Sequence, residues 1–110
     1  MAKHEFGIID AISDDMHIYE QYTPEKYHCI AVSDTLLDPF LPLMDGIPTF
    51  FHNTSQPEFG LDAVGITLIP PSSAPQFAAL LQGHCPALDA AAAVFRKAFE
   101  TRRFVIHYGL

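Results

Sequence analysis

Apolar positions in this chain follow two periods, and the switches between them mark out the elements. Across Leu61–Ile69, Val64, Ile66 and Leu68 alternate with Gly65, Thr67 and Ile69. Both faces are largely apolar, which predicts a central strand covered on both sides. Phe6–Ile12 reads as a strand weakened by Gly7 and Asp10, and Tyr27–Val32 as a strand of aromatic and β-branched residues. Pro48–His52 and Phe104–Tyr108 complete the strand set. Residues 16–25 admit two readings, a short strand at His17–Tyr19 or a turn around Thr23-Pro24-Glu25.

The helical period appears in three places. Leu36, Leu37, Phe40, Leu41 and Met44 form a stripe after Ser33 or Asp34 as cap. Pro39 and Pro42 break it, predicting two short helical pieces, the second capped by Asp38 and ended by Asp45-Gly46. Ser72 or Ser73 caps a second helix with Phe77, Leu80 and Leu81 inward and Gly83 as its stop. Leu88–Arg103 is the clearest helix, with Leu88, Ala91, Ala92, Phe95, Ala98 and Phe99 at helical spacing. The order β, β, α, β, β, α, α, β lacks Rossmann alternation. It predicts one α+β domain over residues 1–110: a single, predominantly antiparallel sheet with helices packed mainly on one face. The other face of such a sheet is a natural dimer surface. Glu5-Phe6-Gly7 and Glu58-Phe59-Gly60 also repeat one another near half the chain's length, which raises a duplication as an alternative origin.

The length of 110 residues suits one core without metal or disulfide staples. Cys29 and Cys85 are the only cysteines, and no leader or membrane span is evident, so the expected location is the cytosol with reduced thiols. The net charge of −7 argues against nucleic acid. Residues 1–95 hold twelve acids against Lys3 and Lys26, a balance of −10; residues 96–110 hold four bases against Glu100, a balance of +3. An acidic body with Asp14, Asp15, Glu20 and Glu25 near Tyr19 and Tyr22 suits a basic protein partner.

The stretch TFFHNTSQPEFGLDAVG, from Thr49 to Gly65, holds the best candidate chemistry. A loop that brings His52 to Glu58 and Asp62 would make the imidazole a general base oriented by a carboxylate. Pro57, Gly60 and Asn53–Gln56 are equally what a turn would use. His107 lies in the closing strand opposite in face to Phe104, Ile106 and Tyr108, and would meet His52 if their strands pair. Glycine-rich phosphate loops, GxSxG, HExxH and CxxC are all missing. The dipeptide His-Cys occurs at His28-Cys29 and His84-Cys85; the first is a poor metal site because strand neighbours point to opposite faces, and Cys85 lies in a Gly83–Pro86 turn. No cofactor or metal is therefore expected.

The segments EFGIID, PEFGLDAVGITLIPP and IHYGL together resemble a small family of uncharacterised bacterial proteins, over nearly the whole chain. The resemblance implies no activity. A dehydrogenase label attached to some such sequences needs a glycine fingerprint and a βαβ order that this chain lacks. The expectation is thus a cytosolic homodimeric or protein-binding module, with the size and charge of antitoxin-like or immunity-type inhibitors. The alternatives are a small hydrolase or isomerase using His52 with Glu58 or Asp62, and a ligand-binding domain walled by Phe50, Phe51, Phe59 and Tyr27.

Overall fold

In a computed structural model that describes every residue except Met1, Asp14 and Met16, the chain forms one six-stranded sheet with helices on one face. The strands are β1 (Lys3–Ile9), β2 (Ile30–Ser33), β3 (Pro48–Phe51), β4 (Pro57–Phe59), β5 (Gly65–Ile69) and β6 (Phe104–Gly109). Their order is β2-β1-β6-β5-β3-β4, and every neighbouring pair is antiparallel. The helices are α1 (Asp34–Leu37), α2 (Ala74–Leu81) and α3 (Pro86–Glu100), with 3-10 turns at Pro24–Tyr27 and Asp38–Met44. Among the described residues, no helix is long and apolar enough to cross a membrane.

Local chemistry explains most of these limits. Ser33 caps α1 by accepting the Thr35 N–H at 3.3 Å. The prolines then force the following stretch into a 3-10 helix with Pro42 inside it, because that geometry tolerates short, poorly bonded turns. Asp38 opens this second piece without capping it, and its carboxylate turns to β1 instead. Ser73 likewise makes no cap; its hydroxyl donates to the Pro48 carbonyl at 2.7 Å, tying the start of α2 to β3. Pro86 sits in the first turn of α3, and Arg102, in the left-handed region at φ 56°, follows its end.

Side-chain alternation splits the core into two layers. Phe6, Ile69 and Val105 face the helices and pack with Phe77, Leu81 and Phe95. Ile9, Ile66, Leu68, Ile106 and Tyr108 face the other way. That second face is not bare. Tyr19, from the ambiguous segment, and Tyr27, which ends a 3-10 turn where the sequence predicted the start of a strand, are buried against it, and the Tyr22 ring meets Tyr108 edge-on at 5.0 Å. The amphipathic tyrosine rings cover apolar surface while keeping their hydroxyls on polar partners. The acidic segment is therefore in part a lid on the core; its Asp14 lies outside the described residues.

Strand β5 is interior and covered on both faces, as its two apolar faces require. It begins only at Gly65, and Val64 before it is 82% exposed. The three-residue strand β4 has no counterpart in the sequence reading, because Pro57-Glu58-Phe59 is too short and too exposed to show a period. The two Glu-Phe-Gly segments occupy unlike places: the first lies within β1, between β2 and β6, and the second runs from the edge strand β4 into the turn at Gly60. No two-fold relation maps the sheet order onto itself, so the strand pairing gives no support to a duplication.

Gly109 shows how closely the 61–64 loop is held. A Cβ there would meet the carbonyl oxygens of Asp62 and Ala63, which are backbone and have little freedom to yield. Gly109→Ala is expected to lower stability by about 1–3 kcal/mol, the usual range for overpacking. Urea denaturation measures this, and an unchanged midpoint would mean that the loop swings away freely.

Candidate functional site

The predicted trio occupies the hairpin formed by β3 and β4 and the loop that follows. His52 directly follows β3, in the left-handed region at φ 62°, a conformation that strains a residue with a Cβ. Its N–H donates to the Ile66 carbonyl at 3.3 Å, and its ring lies on Phe51 with centroids 3.9 Å apart. Glu58 sits on β4, exposed, and accepts the N–H of its neighbour Phe59 at 3.1 Å. The N–H of Asp62 donates to Thr67 Oγ1 at 3.1 Å. Burial holds the Asp62 carboxyl above its ordinary value, the Glu58 charge pushes it further up, and His52 pulls it down. The three thus share one electrostatic neighbourhood. Among the described residues, no side-chain hydrogen bond joins the imidazole to either carboxylate.

His107 does not meet His52. Strand β5 lies between β3 and β6, so those two strands never pair. Instead His107 meets His4 of β1: His4 Nδ1 and His107 Nε2 are 2.8 Å apart, with the rings stacked at 5.0 Å. Both side chains are buried, His4 at 1% and His107 at 0% exposure. On one side, His107 Nδ1 lies 3.4 Å from Thr67 Oγ1, a long hydrogen bond between directly paired residues of β5 and β6. On the other side, His4 Nε2 lies 3.1 Å from Asp38 Oδ1 and 3.2 Å from Asp34 Oδ1. The result is one polar row across three strands, Asp38–His4–His107–Thr67, ending at the Asp62 N–H.

Burial first, and the adjacent His4 second, push the His107 pKa well below its ordinary value, so this ring is neutral. A carboxylate only accepts hydrogen bonds, so His4 Nε2 donates to Asp38. His4 Nδ1 and His107 Nε2 share one hydrogen bond, His107 Nδ1 and Thr67 Oγ1 another, and Thr67 Oγ1 also accepts the Asp62 N–H. One N–H cannot serve two acceptors well. Asp34 Oδ1, although within ion-pair distance of His4, is buried without a hydrogen-bond partner.

These three groups are also the cluster in the described residues able to hold a metal ion. Ligand atoms of His4, Asp34 and Asp38 all lie within 4.8 Å of one another. Four ligands placed tetrahedrally at the usual Zn–N and Zn–O lengths are about 3.3 Å apart. The two measured separations from His4 Nε2 are close to that value. One imidazole with two carboxylates suits zinc or manganese better than copper or iron–sulfur chemistry. Asp38 is about half exposed, which leaves the outer side open to solvent or to a ligand.

The sequence reading missed His4, Asp34 and Asp38. Two aspartates four apart were visible, but each also reads as a helix cap. Only the β1–β2 register, with His4 opposite Val32, carries the imidazole to them. Two grooves of about 330 Å³ lie elsewhere, one between β1 and α3 at Ile8, Val94 and Lys97, the other beside Glu5, His28 and Cys29. None of His52, Glu58, Asp62 and His107 lines them, although Tyr27 lines the first. Burial drives the Cys29 thiol up to about 12, so it is protonated and unreactive at neutral pH.

No protein-family model, curated protein or solved structure matches the chain.

The electrostatics of Asp62 can be tested directly. A carboxyl whose folded pKa is raised destabilises the native state wherever it is ionised, above its unfolded value of 3.8. Asp62→Asn is therefore expected to raise the melting temperature at pH 7, with the gain disappearing as the pH falls to about 3. A loss at pH 7 would show that the ionised carboxylate is held by favourable contacts instead.

Proposed function

We propose that this protein is a divalent-metal-binding domain, with His4, Asp34 and Asp38 as ligands. The observation that carries the reading is the partnerless, buried Asp34 Oδ1, set 3.2 Å from an imidazole nitrogen that is already committed to Asp38. A cation in the place of the His4 Nε2 proton would engage all three groups at once and remove the repulsion between the carboxylates. It would also leave at least one coordination position open on the solvent side, as sites that bind or activate a small ligand do. The hydrolase or isomerase reading around His52 has less support, since a general base needs a hydrogen-bonded orienting group and none joins that trio.

Calorimetric titration of the chain with Zn²⁺ or Mn²⁺ at neutral pH is expected to give one bound ion. Saturation at a hundred times the dissociation constant should stabilise the fold by about 2.7 kcal/mol. Asp34→Asn and Asp38→Asn should each weaken binding at least tenfold. The absence of both heat and thermal shift would overturn the reading.

A homodimer is a second reading, and Phe59 favours it. Strand β4 is the outer strand of the sheet, and the Phe59 ring is 59% exposed. Pro57 and Glu58 blunt the backbone edge, so contact would be made by side chains and not by strand addition. Light scattering coupled to gel filtration is expected to show a dimer that Phe59→Glu converts to a monomer; a monomeric parent chain would exclude it.

A further inference from the structure

We propose that the groove between β1 and α3 binds a small amphipathic carboxylate, with Lys97 and Arg103 holding its head and Ile8, Ala93 and Val94 its apolar body. This site is separate from the metal-binding reading above and does not rest on it. Ala90, Ala93, Val94 and Lys97 fall at helical spacing, so one stripe of α3 runs from small apolar side chains to a cation. The stripe covers two turns, about 10 Å of helix. Alanines stand where larger side chains would close the gap, and they leave a cavity of about 330 Å³, within the range of small-molecule sites. The opposite wall is Gly7 and Ile8 of β1. Of the four aromatics expected from the sequence to wall a ligand site, only Tyr27 lines this groove.

Charge selects the ligand. Two cations, Lys97 and Arg103, line the groove against one carboxylate, Asp10, in a chain whose net charge is −7. Arg103 Nη1 lies 3.3 Å from Asp10 Oδ1, but the two side chains are 41% and 92% exposed, and an ion pair so open to water contributes little. A ligand carboxylate can therefore take the remaining guanidinium donors or displace Asp10. Among the described residues, no ion pair engages Lys97. The backbone adds a donor. The Lys3 carbonyl accepts the Leu110 N–H on the β6 side of β1, so antiparallel alternation directs the N–H and C=O of Ile8 to the other side. Strand β2 begins at Ile30, opposite Phe6, and does not reach Ile8. His28 lines both this groove and the second one, which carries Glu5 and Glu25 and repels the same anion.

The test is a ¹H–¹⁵N NMR titration of the whole chain with octanoate at neutral pH, with a chelator present so that no metal at His4 captures the carboxylate. One site with a dissociation constant of about 1 mM or below is expected for a ligand of this size, with the largest shifts at Ile8, Ala93, Val94 and Lys97. Octanol has the body without the charge and acetate the charge without the body, so each should bind more weakly than octanoate. Lys97→Gln and Arg103→Gln should each lower octanoate affinity about two- to fivefold, and Asp10→Asn should raise it by a similar factor by freeing the guanidinium. Ala93→Leu, at an exposed helix position, should fill the groove and abolish binding with the rest of the spectrum unchanged. Should that variant misfold, the three charge variants decide the matter alone. Absence of saturable binding, or shifts that map elsewhere, would overturn the proposal. So would octanol binding as tightly as octanoate, or parental affinity in both cation variants.

Discussion

The pairing of β1 with β6 is the constraint on which the rest of the molecule depends. Six residue pairs, from His4 opposite Gly109 to Ile9 opposite Phe104, place these two strands side by side inside the sheet. Strand β2 hangs on the outer edge of β1, and β5 joins the far side of β6. The register also decides which side chains share a face. It puts His4 diagonally next to His107 and sets Phe6 between His107, which it meets at a tilt, and Phe95, which it meets edge-on. A slip of one residue would send His107 to the tyrosine-covered face and bring Tyr108 beneath the helices, reversing both layers of the core.

Burying two imidazoles in that layer has a cost that only full pairing offsets. A polar group taken from water without a partner loses roughly 1–3 kcal/mol by mutational measures. All four ring nitrogens of His4 and His107 have a partner, so no such loss falls on the rings. The uncompensated atom is displaced to the rim, at Asp34 Oδ1. Strain and missing bonds tend to collect where a structure interacts with something else, and this one sits beside the half-exposed Asp38. The hydrogen-bonded row also favours the β1–β6 register, because a slip of one residue would send His107 to the face opposite His4.

How much of this was legible in the sequence follows from the range of each interaction. The local periods of β5, α3 and β6 were readable, as was the break that Pro39 and Pro42 impose after α1, because each depends on neighbours within a few positions. Strand β4 was not, since three exposed residues carry no period. The covering role of Tyr19 and Tyr27 was hidden because their apolar partners lie on β1, β5 and β6. The site divides in the same way. The face of His107 was readable from alternation within β6. Its partner was not, because His4 is 103 positions away and only the sheet order brings it close. Asp34 and Asp38 were visible as a four-residue spacing, but a capping aspartate and a ligand look alike until something stands opposite them.

Thr67 joins the two constellations that the sequence kept apart. It lies on the central strand, opposite His107, and its hydroxyl holds the backbone of Asp62. The hairpin between β3 and β4 is thus a connection in its own backbone, closed by the Phe51 N–H donating to the Gln56 carbonyl at 2.9 Å. The loop that follows it is the far end of a hydrogen-bonded row that starts at the Asp34–Asp38 edge. The charged groups of that loop meet solvent, while the link that holds it is buried. The row therefore meets Asp62 through a backbone bond, whereas His52 and Glu58 meet Asp62 through the field of their charges. The hairpin cluster, lacking an orienting bond of its own, is in this sense subordinate to the histidine pair.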